Sequence, residues 1–272
     1  MSWTEGVVDA DGIDIHYVRT GDGSLPPVVL IHGFTDNGRC WTRVAQAIES
    51  AFDVVMVDNR NHGESSAAVG SCADMADDIA AVITELGLAP TAVVGHSLGA
   101  ATAADLGARH PGLVRRLVLE DPPWRRHRPV AGKTGASGKT EMTDTRRRDL
   151  QAFIDSFAGL SHDEIVAMGR SQHPGWHERD FPAWALSKQQ VRAEAIESIR
   201  FHPWAEIVPQ LTCPTLLVHG DVDLGGIIGP DVAEEIAALN PLVSTAAIDG
   251  AGHNVRREGF EAYLEQLGAF LA

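Results

Sequence analysis

The chain has 272 residues, of which 44% are hydrophobic and 22% are charged; these proportions are ordinary for a large globular domain and exclude a disordered chain. It has no apolar run of about 18 residues, so no membrane span is expected, and its net charge of -15 argues against nucleic acid as a partner, because phosphates need a basic face. Residues 1–6 have neither the basic start nor the apolar stretch of a secretory signal, so the expected location is the cytoplasm.

The first half of the chain alternates strand-like and helix-like segments, which is typical of a mainly parallel α/β sheet. The sequence predicts strands at residues 7–10, 13–19, 28–31, 54–57 and 92–94, and helices at 39–49 and from the N-cap Ser71 to Leu86. The first two strands flank Asp11-Gly12, a two-residue hairpin signal, and should therefore pair antiparallel.

The most informative stretch is Gly95-His96-Ser97-Leu98-Gly99, which follows the fifth strand and leads into an alanine-rich helix. A serine on a sharp strand-to-helix turn is held in a strained conformation, and the residues two before and two after it must be small. Gly95 and Gly99 meet that demand. The pattern predicts a nucleophile elbow with Ser97 as nucleophile, and the helix that starts at Leu98 directs a free N–H at any oxyanion formed there.

In the second half, the alternation of strands and helices stops after a strand that ends near Asp121. Residues 124–148 carry eight Arg and Lys residues against two acidic ones. Three helices are then expected: one around 146–157, one that begins at a capping box formed by Ser161 and Glu164, and one around 184–200. No strand is expected between them. The sheet resumes with strands at 215–219 and 245–248, and helices are expected at 231–239 and 258–271. The sequence thus predicts an α/β core of residues 1–122 and 205–272, with a helical cap inserted at 123–204.

A serine is a weak nucleophile until a histidine takes its proton, and a carboxylate must hold that histidine in one tautomer. His253 follows the last strand in a glycine-rich loop, from which its ring could reach Ser97, and is the expected base.

The acid is expected in the loop after the strand at 215–219, where two aspartates compete. Asp223 lies further out along the loop and is the preferred candidate, whereas Asp221 is expected to bond within its own turn. Asp121, at the end of the strand before the insertion, is a third candidate.

These motifs resemble the α/β-hydrolase superfamily over essentially the whole chain. They occupy residues 32–34, 58–65, 95–99, 214–223 and 250–253. The resemblance implies a triad of Ser97, Asp223 and His253, an oxyanion hole formed by the backbone N–H groups of Phe34 and Leu98, and a helical cap over the site. The second motif departs from the usual pattern by having Asn61 where glycine is common, but asparagine tolerates a left-handed backbone.

The serine at the elbow argues against dehalogenases and most epoxide hydrolases, which resemble this chain but use aspartate there. The favoured function is hydrolysis of carboxylic esters of small molecules through an acyl-enzyme. Lactone hydrolysis, C–C bond hydrolysis and cofactor-free haloperoxidase or perhydrolase activity are alternatives. A catalytically degenerate ligand-binding protein is an alternative that is not an enzyme.

Two groups of side chains in or beside the insertion are candidate substrate-binding residues. Arg125, Arg126 or Arg128 could present a guanidinium to a substrate carboxylate, as in a monoester of a dicarboxylic acid, although a solvated basic loop is the simpler interpretation. The second group consists of four tryptophans, Trp124, Trp176, Trp184 and Trp204. One or two of them are expected to line an apolar pocket, while the others pack in the core of the cap.

No metal or other cofactor is expected. Cys40, Cys72 and Cys213 are far apart and should be reduced, buried thiols. Pro174-Gly175 separates His173 from His177 and would break a helix that could present both to one ion. The sequence gives no indication of the oligomeric state.

Overall fold

The computed structural model describes residues 3–124 and 143–272. The eight strands of the described residues are β1 (Thr4–Asp9), β2 (Asp14–Arg19), β3 (Pro27–Ile31), β4 (Asp53–Val57), β5 (Thr91–His96), β6 (Val114–Glu120), β7 (Thr215–His219) and β8 (Val243–Ala247). They form one sheet in the order β1-β2-β4-β3-β5-β6-β7-β8. The pairs β1–β2 and β2–β4 are antiparallel, and the other pairs are parallel. The predicted fold class is confirmed.

Helices connect most of the parallel strands, and the last two helices follow β8. The α-helices are α1 (Thr42–Ile48), α2 (Cys72–Glu85), α3 (Leu98–Arg109), α4 (Asp144–Asp155), α5 (His162–Gln172), α6 (Phe181–Gln190), α7 (Glu194–Glu197), α8 (Trp204–Ile207), α9 (Pro230–Leu239), α10 (Val255–Glu258) and α11 (Phe260–Leu271). Short 3-10 helices occupy Gly38–Trp41, Glu178–Asp180, Val208–Gln210 and Val222–Leu224.

Side chains of the buried strands point alternately to the two faces of the sheet, and the core therefore has two layers. Val28 and Leu30 of β3 pack with residues of α1 and α11 on one face of the sheet. Val29 and Ile31 pack with residues of α2, α3 and α9 on the other face. Successive side chains of a strand point to opposite faces, so a continuous apolar run is what a sheet covered on both faces requires.

Local signals in the sequence account for several boundaries. Asp11 and Gly12 both have positive φ, 55° and 84°, as the two-residue turn between β1 and β2 requires. The side chain of Ser71 accepts a hydrogen bond from the Asp74 N–H and caps α2. Ser161 and Glu164 form the predicted capping box at the start of α5.

Between β6 and β7 the described residues form helices and no strand. The inserted helices α4 to α7 include their own apolar core, built from Phe157, Ile165, Val166, Trp176, Phe181, Trp184 and Ala185. The predicted helix at 184–200 is wrong in extent, because α6 ends at Gln190 and Val191 is extended. The N–H of Arg192 donates to the carbonyl oxygen of Asn61 at 2.9 Å, so a contact with the core replaces the helical hydrogen bond at this break. Asn61 itself has φ 68°, the left-handed conformation expected for it.

The closing helix is also divided, since α10 and α11 are separated at Gly259. In the ranges that the structure describes, we find no helix with the length and apolar character needed to cross a membrane.

Candidate active site

Ser97 lies between β5 and α3 with φ 52° and ψ -116°, a conformation that costs free energy for a residue other than glycine. The turn is tight on both sides. A Cβ on Gly95 would lie 2.2 Å from the carbonyl oxygen of Gly99, and one on Gly99 would lie 2.3 Å from the carbonyl oxygen of Ile31. The small residues two before and two after Ser97 are therefore sterically required, as the elbow pattern predicts.

His253 contacts a carboxylate other than the one expected from the sequence. Its Nδ1 lies 2.6 Å from Oδ2 of Asp121, which follows β6 directly and is fully buried. The Asp121 carboxylate also accepts hydrogen bonds from the backbone N–H groups of Ile227 and Ile228, at 2.9 to 3.1 Å. Three donors thus fix the carboxylate in place, and the expectation that Asp223 holds His253 is corrected.

Asp223 lies on the exposed 3-10 helix Val222–Leu224 and has no contact with His253. Its neighbour Asp221 accepts a hydrogen bond from the N–H of Gly250 at 2.7 Å, in the loop that leads to His253. The loop after β7 therefore contacts the site through its backbone donors to Asp121 and through Asp221.

The loop after β3 passes beside the elbow. Phe34 and Leu98 line the same cavity as Ser97, and within the described residues neither backbone N–H donates to a backbone acceptor. Thr35 has φ 64°, which is unusual for a β-branched residue. Thr35, Ser97 and Asp121 thus all have positive φ and lie around one site. Backbone strain of this kind persists only where the surrounding structure holds the residue in that conformation.

A cavity of about 310 Å³ opens beside Ser97 and His253. The other residues of its wall come from the loop after β3, the start of α3, the inserted segment and the loop after β7: Phe34, Leu98, Pro123, Arg146, Leu150, Ile199, Phe201, Gly225 and Ile227. The wall is mostly apolar, with one cation among the described residues, Arg146 of α4. Such a space suits a small molecule.

The four tryptophans proposed from the sequence are not among the described residues of this wall. Trp176 and Trp184 are buried in the core of the inserted helices. Trp124 is buried in the main core, and the partly buried Trp204 packs against that core. The expectation that one or two of them line the pocket is therefore corrected, because their apolar surface is already covered within the fold. Of the basic candidates, Arg125, Arg126 and Arg128 lie outside the described residues.

The sequence did not single out Arg146, although this residue belongs to the basic segment, because no local pattern tells which arginine faces the cavity.

His96 is a second residue of the site that the sequence did not reveal. The Nε2 of His96 lies 2.9 Å from the backbone oxygen of His253, so the neutral ring donates Nε2–H there. Burial holds the pKa of His96 well below its ordinary value. A neutral, buried histidine next to Ser97 in the chain thus anchors the loop of His253.

Behind the loop after β3 lies a buried charge cluster, which we call the Asp36 cluster: Asp36, Glu120, Lys188, Arg256 and Arg257. Asp36 accepts hydrogen bonds from Lys188 at 3.2 Å, Arg256 at 3.0 Å and Arg257 at 2.9 Å. Arg256 also contacts Glu120 through its backbone N–H at 3.0 Å and its guanidinium. Burial alone would raise the pKa of Asp36, but the surrounding cations, Arg257, Lys188 and Arg256, hold it well below the usual range.

No group of three or more His, Cys, Asp or Glu side chains suited to hold a metal ion occurs in the part of the chain that the structure describes. Cys40, Cys72 and Cys213 are buried and unpaired with one another. Ser97 and His253 lie on the wall of the same cavity, and Asp121 contacts His253 from behind it.

The family model described as the alpha/beta hydrolase fold matches residues 26–258. Among curated proteins, N-formylmaleamate deformylase from Pseudomonas putida is 28% identical, over 98% of this chain and 96% of its own length. The 2-(acetamidomethylene)succinate hydrolase from Mesorhizobium japonicum is 25% identical, over 97% of this chain and 94% of its own length. A crystal structure of N-formylmaleamic acid deformylase from Pseudomonas putida S16 has a TM-score of 0.74 and 25% identity, and covers 97% of this chain and 100% of that one. These relatives indicate a hydrolase, and the chain belongs to the alpha/beta hydrolase family.

Proposed function

We propose that this protein is a serine hydrolase in which Ser97 attacks an acyl carbon, His253 is the general base and Asp121 orients His253. The observation that carries the proposal is the 2.6 Å contact between His253 Nδ1 and Asp121 Oδ2, together with the position of Ser97 and His253 on one cavity wall. Because the Nδ1–H donates to Asp121, the neutral ring keeps Nε2 free to accept a proton.

The proposed reaction has two halves. The Oγ of Ser97 bonds to the acyl carbon while its proton passes to Nε2 of His253, and the same proton then goes to the leaving group as its bond to the acyl carbon breaks. A water molecule next gives a proton to His253 as its oxygen bonds to the acyl carbon. The bond between that carbon and Ser97 Oγ then breaks and the proton passes from His253 to Oγ, which releases the acid and restores Ser97. The N–H groups of Phe34 and Leu98 are the proposed donors to the oxyanion in both halves.

We infer that the inserted segment, with the proposed limits 123 and 204, acts as a cap. Leu150, Ile199 and Phe201 of this segment line the cavity beside Ser97. Side chains that close a cavity against water strengthen the electrostatic interactions inside it. The cytoplasmic location expected from the sequence stays a prediction.

The proposed substrates are small carboxylic esters, including monoesters that carry a free carboxylate. The volume of the cavity, about 310 Å³, and its apolar wall support a small molecule. Arg146 supports an anionic one, because it lines the cavity and its guanidinium can bind a carboxylate through two N–H groups.

A second candidate substrate class is N-acyl compounds that carry a carboxylate. The names of the two full-length relatives specify a formyl group on maleamate and an acetamido group on a methylene succinate, and Arg146 fits a carboxylate in either class. Hydrolysis of lactones or C–C bonds and perhydrolase or haloperoxidase chemistry would use the same serine. A degenerate ligand-binding protein would retain the cavity without turnover.

A substrate panel tests this proposal. It contains p-nitrophenyl esters, a lactone, and matched monoester and N-formyl or N-acetyl derivatives of succinate or maleate, each assayed with the wild type and with Ser97→Ala. We expect hydrolysis of esters, highest for the carboxylate-bearing members, and a loss of several orders of magnitude in kcat for Ser97→Ala, because only about 10³ to 10⁴ of rate enhancement over water survives triad removal. A folded Ser97→Ala variant that keeps more than about a tenth of the wild-type rate would refute the assignment of Ser97.

A further inference from the structure

The oxyanion loop, residues 33–37, is held by the inserted helices as well as by the sheet. Lys188 of α6 donates to the Thr35 carbonyl oxygen at 2.9 Å, to Thr35 Oγ1 at 3.1 Å and to Asp36 Oδ1 at 3.2 Å. Gln190 of the same helix accepts a hydrogen bond from the Asn37 side chain at 2.8 Å. The inserted helices therefore contact three successive residues of this loop.

Lys188 is an unusual residue to find in this position. Its side chain is only 2% exposed, and its ammonium group lies 5.0 Å from the centroid of the Trp184 ring. Burial lowers the pKa of Lys188, and the nearby Asp36 carboxylate opposes that shift. A buried cation is costly unless it is paired and hydrogen bonded, so its acceptors are held in a defined arrangement around it.

The contacts of Lys188 lead to the backbone N–H of Phe34 in two steps. The N–H of Asp36 donates to the carbonyl oxygen of Gly33 at 3.1 Å, and His32 Nδ1 lies 2.8 Å from the same oxygen. In a trans peptide the carbonyl and the following N–H point in opposite directions. Fixing the Gly33 oxygen on one side thus directs the Phe34 N–H to the other side.

The left-handed conformation of Thr35 is part of the same arrangement. Its φ is 64°, whereas a β-branched residue favours a negative φ. A return to negative φ would rotate the neighbouring peptides. Lys188 bonds both the carbonyl and the hydroxyl of Thr35, so it holds the residue in the strained state.

We propose that Lys188 is a positioning residue, which orients the Phe34 N–H for the oxyanion by holding Thr35 and Asp36, so that the oxyanion hole is complete only when the inserted helices are seated on the core. This inference rests on the proposed function. Lys188 does not line the cavity, so it acts through the loop rather than on the substrate.

The test compares Lys188→Met with Arg43→Met. The methionine in the first variant keeps an unbranched apolar stem as long as that of Lys188 up to Cε but removes the ammonium group with its three donors. Arg43 forms another ion pair between core and inserted segment, with Asp180 at 3.4 Å, and does not contact the oxyanion loop, so its variant reports general loosening of the inserted helices. For both variants, kcat and KM are measured on one p-nitrophenyl ester well below the melting temperature. The inhibition constant of a trifluoromethyl ketone, whose Ser97 adduct carries an oxyanion, is measured as well.

For Lys188→Met we expect kcat to fall about 10- to 100-fold, somewhat less than when an oxyanion donor is removed outright, with KM within about threefold of the wild type. The inhibition constant should rise by a similar factor, and Arg43→Met should leave both quantities near wild-type values. An unchanged kcat, a change in KM alone, or equal losses in the two variants would overturn the inference.

If Lys188→Met does not fold, Lys188→Gln decides on the same terms, because its amide is uncharged, has two donors and lies on a side chain one atom shorter, so it replaces only part of the contacts with Thr35 and Asp36. Its kcat should lie between those of the wild type and the 100-fold loss expected above, and a wild-type kcat would overturn the inference. Failure of the proposed function gives a different result, namely that Ser97→Ala remains active.

Discussion

The Nδ1 atom of His253 lies 2.6 Å from Oδ2 of Asp121, although Asp121 precedes the inserted helices and His253 follows the last strand of the sheet. The register of the sheet explains how they meet. Glu120 of β6 lies opposite Val218 of β7, so the loops that follow these two strands leave the sheet side by side. A carboxylate after either strand is therefore within range of the same histidine.

Replacing Asp121 by asparagine should lower kcat by about 10⁴-fold, because an amide holds the imidazole in the wrong tautomer. Asp223→Asn should stay within about twofold of the wild type, because Asp223 is exposed and does not contact His253. The measurement is kcat for one ester with each purified variant. A larger loss in Asp223→Asn than in Asp121→Asn would return the acid to the loop after β7.

Arg146→Met should lower kcat/KM for a monoalkyl succinate or phthalate about tenfold or more, since one charge-assisted hydrogen bond contributes about 1.5–3 kcal/mol. The neutral dialkyl ester should be affected little. Arg148→Met is the matched control, because Arg148 belongs to the same helix but does not line the cavity with Ser97. Equal effects on the two esters would remove Arg146 from substrate binding.

The three arginines that lie outside the described residues are tested with the same pair of esters. If one of them binds the carboxylate instead, its alanine variant should lose the preference for the monoester that Arg146→Met retains. The variants are Arg125→Ala, Arg126→Ala and Arg128→Ala. If none of the four arginine variants changes the preference, these four arginines are excluded as the anchor of the carboxylate.

Gly99→Ala should destabilise the protein and abolish activity, because the added methyl group would lie 2.3 Å from the carbonyl oxygen of Ile31. Overpacking of this kind costs about 1–3 kcal/mol or more, which corresponds to a Tm lower by roughly 2–12 °C. Gly112→Ala adds a methyl group with no atom within 4 Å and should change neither Tm nor kcat. Thermal unfolding followed by circular dichroism measures the difference, and equal Tm values for the two variants would contradict the tight elbow.

Stability should decrease as the pH falls below about 6.5, the ordinary pKa of histidine in an unfolded chain. Burial lowers the pKa of His62 to about 3, so between pH 6.5 and pH 3 the unfolded chain binds a proton at this residue that the folded protein does not. The free energy of unfolding then falls by up to about 1.4 kcal/mol per pH unit from this one group.

His62→Gln should make that dependence less steep by about one proton. The Nδ1 of His62 lies 2.9 Å from the carbonyl oxygen of Arg60, and a glutamine amide can donate to the same oxygen. Urea unfolding at several pH values between 4 and 7 measures the slope. A slope equal to that of the wild type would show that His62 is protonated in the folded protein as readily as in the unfolded chain.

The sheet and the elbow could be predicted because their signals are local. The apolar run at 215–219 coincides with β7, and Gly95 and Gly99 have no room for a side chain. The end of α6 could not be predicted, because Val191 leaves the helix where Arg192 bonds to Asn61 of the core. That contact joins residues far apart in the chain and has no local signature.

The choice of the acid depended on similar long-range information. Asp121 and Asp223 each come after a parallel strand. What distinguishes Asp121 is that the backbone N–H groups of Ile227 and Ile228 donate to its carboxylate. Trp176 shows the same difficulty for the pocket. An aromatic residue in an inserted segment can pack inward or line a cavity, and its neighbours in space determine which of these it does.

The most direct test of the proposed mechanism is covalent labelling of the wild type with a fluorophosphonate, followed by mass spectrometry of the peptides. Only a serine activated by its histidine reacts rapidly with this reagent. We expect one adduct per chain, located on Ser97, no adduct in Ser97→Ala, and much slower labelling of Asp121→Asn than of Asp223→Asn. An unlabelled wild type, or an adduct on another residue, would contradict a catalytic role for Ser97, His253 and Asp121.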